Sequence, residues 1–151
     1  RQMCIRDRDV RGISHRGYFA SITDFKSYHD ANMDLIDYKT ATDLFHDNWP
    51  IYTRTNNSCP THYFDTANVS NSVISNGSMI EGTVENSIVG RGCTIKKGAV
   101  IKNCVVLADC TIGENVHIEN LVVDKHAKIT HAKEIIRPAD EPGYIKRNDT
   151  L

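Results

Sequence analysis

Three kinds of side chain in this 151-residue chain have the chemistry to act: histidines, clustered cations and thiols. His117, His126 and His131 are of the type that binds zinc or, singly, takes a proton as a general base. Their spacings of nine and five match no ligand pattern, and His117 falls between Val116 and Ile118, so all three read as surface residues. Lys96 and Lys97, with Arg91 and Lys102, have the charge to attract a phosphorylated anion, since ammonium and guanidinium groups hold phosphate oxygens. Glu81, Glu85, Asp109 and Glu114 are interleaved with them, which makes a solvated mixed surface the expectation. Cys93, Cys104 and Cys110 react only as thiolates, and the spacing sets no cation beside them; they read as small packing residues. Spacing alone assigns no catalytic, cofactor-binding or metal-ligating residue.

The element that positions these residues is a repeat from Asn71 to Ile129. Asn71, Asn86, Asn103 and Asn120 each open an Asn-x-aliphatic-aliphatic step, 15, 17 and 17 residues apart. Further along each unit, Ser78-Met79-Ile80, Cys93-Thr94-Ile95, Cys110-Thr111-Ile112 and Ala127-Lys128-Ile129 recur at the same spacing. A period near seventeen fits one triangular turn of a parallel β-helix made of three roughly hexapeptide steps. In the third unit, alternation predicts that Val105 and Leu107, Cys110 and Ile112, and Val116 and Ile118 point inward. Gly90-Arg91-Gly92, Lys96-Lys97-Gly98, Ala108-Asp109 and Gly113-Glu114-Asn115 form the corners. Stacking then places Cys93 over Cys110 and Ile95 over Ile112, and lines the four asparagines into a ladder along one corner. The first unit is two residues short after Ile80, which predicts an imperfect coil near the start of the solenoid.

Lys plus Arg number 18 and Asp plus Glu 19, a formal charge of -1 with no demand for nucleic acid or an anionic membrane. Five cysteines without a C-x-x-C pair read as reduced thiols in a cytosolic protein, and neither a signal peptide nor a long apolar run is read in these residues. The sequence begins at Arg1 and reads as a fragment, with residues 1–9 a disordered or non-native tail. Tyr18, Phe19 and Ile22 form a short extended segment, after which Thr23 or Asp24 caps a helix bearing Phe25, Tyr28, Asn32, Leu35 and Ile36 on one face and ending near Asp37. A weaker helix is expected from Thr42 to His46. Residues 47–68 read as an extended linker in which Trp49 and Tyr52 flank Pro50 as a buckle. Residues 136–151, with Pro138 and Pro142, read as a tail capping the open end of the solenoid.

The order of these elements carries a resemblance. Gly17-Tyr18-Phe19, the helix from Ser27 to Leu35, Trp49-Pro50-Ile51-Tyr52-Thr53 and then a hexapeptide solenoid resemble the carboxyl-terminal part of bacterial glucose-1-phosphate adenylyltransferase, from about Val10 to Ile135. The resemblance implies a mainly β fold: a left-handed parallel β-helix of about four coils over residues 69–135, preceded at 10–46 by a short α-helical remnant of an absent α/β nucleotidyltransferase domain. It implies assembly and regulation in ADP-glucose synthesis for glycogen, with a catalytic adenylyltransferase subunit as partner, a hetero- or homo-oligomer through the β-helix, and a phosphorylated sugar or nucleotide as effector. Mg²⁺ and ATP are implied for the parent complex, not for this fragment.

Catalytic members of that family carry Gly-Tyr-Trp-x-Asp-x-Gly-Thr where this chain has Gly17-Tyr18-Phe19-Ala20-Ser21-Ile22-Thr23-Asp24. Ser21 stands where the family's metal-binding Asp stands, and a neutral hydroxyl cannot supply that charge. The pattern resembles the non-catalytic, regulatory-type subunit, and the fragment itself is expected to be inactive. The alternative from another class is a stand-alone hexapeptide-repeat acyltransferase; a third is a structural cap without ligands. If the apolar face of the helix belongs against the absent domain, its amides are expected to exchange much faster than those of the coils.

Overall fold

The computed structural model describes residues 11–46, 48, 50–53 and 55–151; residues 1–9 and Trp49, with the readings placed on them, lie outside this set. Fifteen short strands are found among the described residues. They are β1 (His62–Tyr63), β2 (Asn68–Ser70), β3 (Val73–Ile74), β4 (Met79–Ile80), β5 (Thr83–Glu85), β6 (Ile88–Val89), β7 (Thr94–Ile95) and β8 (Val100–Lys102). The rest are β9 (Val105–Val106), β10 (Thr111–Ile112), β11 (His117–Glu119), β12 (Leu121–Val123), β13 (Lys128–Ile129), β14 (Glu134–Ile136) and β15 (Gly143–Ile145). Every third strand pairs in parallel, giving three sheets: β1-β4-β7-β10-β13 (sheet I), β2-β5-β8-β11-β14 (sheet II) and β3-β6-β9-β12-β15 (sheet III). Hence the chain is a parallel β-solenoid of about four turns. Pairing runs from His62 to Ile145, beyond the 69–135 expected, because the chain before Asn71 and the tail after Arg137 each add strands to the stack.

Repetition fixes the register. Thr94 pairs with Thr111 and Ile95 with Ile112, so Cys93 and Cys110 stack as expected. Ile80, Ile95, Ile112 and Ile129 form one inward column and Val84, Ile101 and Ile118 another, all fully buried. Each such side chain contributes about 1.5–3 kcal/mol by leaving water. The asparagine ladder is bonded over three of its four members: Asn71 Nδ2 donates to Asn86 Oδ1 at 2.8 Å and Asn86 Nδ2 to Asn103 Oδ1 at 2.6 Å, while Asn120 Nδ2 donates to the Arg137 carbonyl oxygen at 2.6 Å. All four asparagines have positive φ, between 42° and 55°, a conformation this residue tolerates better than most.

One register expectation is corrected. In the third unit Cys104 and Val106 join the interior, not Val105 and Leu107. Asn103 is spent on the left-handed corner, and a one-residue shift exchanges the two faces of a strand. The shortened unit is also not the first: the layer of β1 and β2 precedes it. Glu81 and Gly82 make its abbreviated corner, so tight that a Cβ at Gly82 would lie 2.5 Å from the carbonyl oxygen of Ala99.

Two helices precede the solenoid. Helix α1 (Phe25–Met33) starts at Asp24, whose carboxylate accepts from the Ser27 amide while Ser27 Oγ accepts from the Asp24 amide. A turn of 3₁₀ helix (Asp34–Ile36) leads to α2 (Tyr38–Leu44). Helix α2 begins four residues before the expected Thr42 because Asp37 caps it, accepting from the Thr40 amide at 2.9 Å. Tyr52 is 92% exposed, so its side chain pins nothing in the linker.

Helix α1 lies on sheet III, against β9. His29, buried, donates from Nε2 to the carbonyl oxygen of Asn103 at 2.9 Å, and Phe25 sets its ring edge-on to Tyr144 of β15. Val105 faces outward from the solenoid yet is fully buried, as is Val122 at 2% exposure. The expectation of fast exchange in this helix is therefore reversed: α1 docks on the solenoid. Val105→Asp should release it, raising exchange of α1 amides about ten-fold or more while β10 amides stay protected. Unchanged α1 exchange would refute the docking. Ile112→Ala should cost about 2–5 kcal/mol in denaturant unfolding, and Leu107→Ala clearly less. Equal costs would return Leu107 to the core.

Candidate functional site

The three corners of the solenoid carry different chemistry. Asparagines line the corner from sheet II to sheet III. At the corner from sheet III to sheet I, Gly77, Gly92, Asp109, His126 and Asn148 occupy left-handed positions in successive layers. The amides of Gly92, Asp109, His126 and Asn148 donate to the carbonyls of Asn76, Arg91, Ala108 and Lys125, at 2.8–3.2 Å. A Cβ at Gly92 would stand 2.6 Å from Asp109 Oδ1, so a side chain there would displace the Asp109 carboxylate.

This stacking gathers Arg91, Lys125, His126 and Arg147 around one hollow, with Ala108 and Asp109 on its floor and Thr55 and Asn56 of the linker at its side. Layers lie about 4.8 Å apart, so Lys125 and Arg147 are neighbours, and the short side chain of Ala108 leaves space between Lys125 and Arg91. Among the described residues Asp109 is the single acid in the lining, and it faces His126, Oδ2 to Nδ1 at 3.6 Å. Two guanidinium groups and an ammonium around an open, polar hollow are complementary to a phosphoryl or carboxylate anion.

The four cations grouped in the sequence are divided, as a mixed surface implies. Arg91 joins the hollow, Lys96 and Lys97 turn at the opposite corner, where the Lys97 amide donates to Glu81 Oε2 at 3.1 Å, and Lys102 pairs with Glu85 on sheet II at 3.2 Å. Lys125, His126 and Arg147 were not in that reading. Arg91, Ala108 and Lys125 are spaced by seventeen, so the period carried a signal for two of the cations. Arg147 falls outside it because the chain from 137 to 142 loops out before β15. The histidines part company: His117 is on the outer face of sheet II between Glu119 and Glu134, His126 is in the hollow, and His131 is exposed at another corner.

The thiols stay with packing. Cys93, Cys104 and Cys110 are buried, and each donates to a backbone carbonyl, those of Leu107, Lys102 and Asp124, at 3.0–3.1 Å. Burial pushes the Cys104 thiol up to about 12, and the stacked Cys110 together with burial pushes Cys93 far up. Cys59 is exposed.

Ser21 is exposed in the extended run before α1. The nearest carboxylate in the sequence, Asp24, is committed to the cap and held below the usual range by its bonds from Ser27. These residues do not fit the Mg²⁺ site that the resemblance implies for catalytic relatives.

Residues 60–141 match the sequence model of the GlmU-like, C-terminal hexapeptide family. The chain belongs to this family. It is 38% identical over 133 residues to the glycogen biosynthesis protein GlgD of Bacillus subtilis, covering 88% of this chain and 39% of that protein. It is 42% identical over 86 residues to a glucose-1-phosphate adenylyltransferase of Geobacillus stearothermophilus, covering 57% of this chain and 22% of that one. A glucose-1-phosphate adenylyltransferase of Bacillus cereus is 36% identical over 122 residues, 81% of this chain and 32% of that protein. The chain thus spans about a fifth to two fifths of these relatives and matches their carboxyl-terminal parts. None of the three is named as an acyltransferase.

At neutral pH a maleimide should modify Cys59 in the folded protein while Cys93, Cys104 and Cys110 react only after unfolding. Rapid native labelling of Cys104, followed by peptide mass spectrometry, would contradict its placement in the core.

Proposed function

We propose that this chain is the carboxyl-terminal assembly and regulatory region of a glucose-1-phosphate adenylyltransferase subunit in glycogen synthesis, and that the subunit is itself non-catalytic. The observation that carries the non-catalytic role is Ser21, exposed and neutral where catalysis in the family needs a metal-binding carboxylate. Mg²⁺ and ATP then belong to a catalytic partner subunit, which this chain meets through its solenoid in a cytoplasmic oligomer.

On this reading the hollow between sheets III and I is the regulatory site, and its effector is a phosphorylated sugar or nucleotide. An arginine fork takes two phosphate oxygens at once, whereas a lysine contributes a mobile point charge. Lys125 and Arg147 are both exposed, so each contact is screened by salt, and their effect depends on acting together on one anion.

Glucose 6-phosphate binding, followed by calorimetry, should weaken about ten-fold or more in the double variant Lys125→Glu, Arg147→Glu and fall steeply between low and high salt. Affinity unmoved by either change would sink the assignment of the hollow. The purified chain should form no ADP-glucose from ATP and glucose 1-phosphate; measurable product would overturn the non-catalytic role.

A further inference from the structure

The hollow and α1 are joined by a short chain of contacts. Asp124, following β12, lies beside Lys125 of the hollow, and its carboxylate accepts from the Lys125 amide at 2.6 Å and from the Tyr144 hydroxyl of β15 at 2.7 Å. The Tyr144 ring meets Phe25 edge-on, with centroids 5.6 Å apart and planes at 73°. Phe25 is the first residue of α1, one turn before His29, so both lie on the helix face that meets the solenoid. The bonds from Tyr144 and Lys125, then the charges of Arg147 and Lys125, hold the Asp124 carboxyl below its usual range.

We propose that Asp124, Tyr144 and Phe25 form a relay through which an anion bound in the hollow changes how firmly α1 sits on the solenoid. This rests on the reading of the hollow as an anion site. Phosphoryl oxygens placed near Arg147 and Lys125 draw their charge away from Asp124. The Tyr144 hydroxyl is the side-chain donor to that carboxylate, and with less cationic charge nearby its bond tightens and holds the ring against Phe25. Phe25 is 37% and Tyr144 51% exposed, so the pair is at the rim of the docked face, where little packing resists a shift. The other end of the contact is fixed by His29 on Asn103 and by buried Val105. Tyr144 is thus a positioning residue: it touches no anion and acts on α1 through Phe25.

The test is amide hydrogen exchange of the full chain with inorganic phosphate as probe. Phosphate should slow exchange of α1 amides about five-fold or more, and Tyr144→Phe should abolish that response while keeping phosphate affinity within about two-fold. Without phosphate, Arg147→Gln should alter α1 exchange in the wild-type background but not in Tyr144→Phe. A Tyr144→Phe variant that still responds, or additive effects in that cycle, overturns the relay. Phosphate binding with no α1 response overturns the relay alone, whereas no phosphate binding overturns the reading of the hollow.

Discussion

The constraint on which everything else depends is the parallel stacking of each layer on the one before. A two- or three-residue strand cannot persist alone; it exists because backbone amides along the chain find carbonyls one layer away, as when Thr94 donates to Cys110 and Thr111 to Ala127. That requirement extends to the corners, where the amide of Asp109 must reach Arg91 and that of His126 must reach Ala108. A corner able to do this turns left-handed, and so the chain supplies Asn, Asp or Gly at those positions, with His126 the costlier exception.

Because stacking makes columns, a residue's function is set by its column more than by its sequence neighbours. Arg91 and Lys96 are five residues apart and belong to different corners, while Arg91 and Lys125 are 34 apart and share one. The same geometry turns Asn71, Asn86 and Asn103 into a bonded ladder and Ser78, Cys93, Cys110 and Ala127 into stacked interior slots. Individually these are weak contacts; their strength lies in being repeated where the backbone has already fixed the geometry, so that little further entropy is lost.

Much of the fold was legible because the period and the turn residues pointed the same way, and a triangular parallel solenoid satisfies both. What escaped did so for physical reasons. Val105 and Val106 are both apolar, and alternation cannot choose the inward one when the outer face is covered as well. That cover is α1, whose Phe25 and His29 face resembles the face of any amphipathic helix; nothing in its spacing says whether it packs on an absent domain or on sheet III. The hollow was half legible: seventeen-residue spacing links Arg91 to Lys125, but the loop before β15 breaks the count before Arg147. Ser21 was readable only against a family pattern, since a lone serine before a helix cap carries no signal of a missing carboxylate.

Ser21 also shows how the two roles of the amino-terminal segment separate. The position that would bring charge to a metal is three residues from the one that starts the helix, and the cap depends on Asp24 and Ser27 alone. A hydroxyl at position 21 is therefore compatible with an intact α1, with its His29 bond to Asn103 and its cover over Val105. Ser21 is exposed, and no hydrogen bond of its side chain to the docked face is found among the described residues. The contact between helix and solenoid, and with it the relay proposed from the basic hollow to α1, does not depend on which side chain stands at position 21.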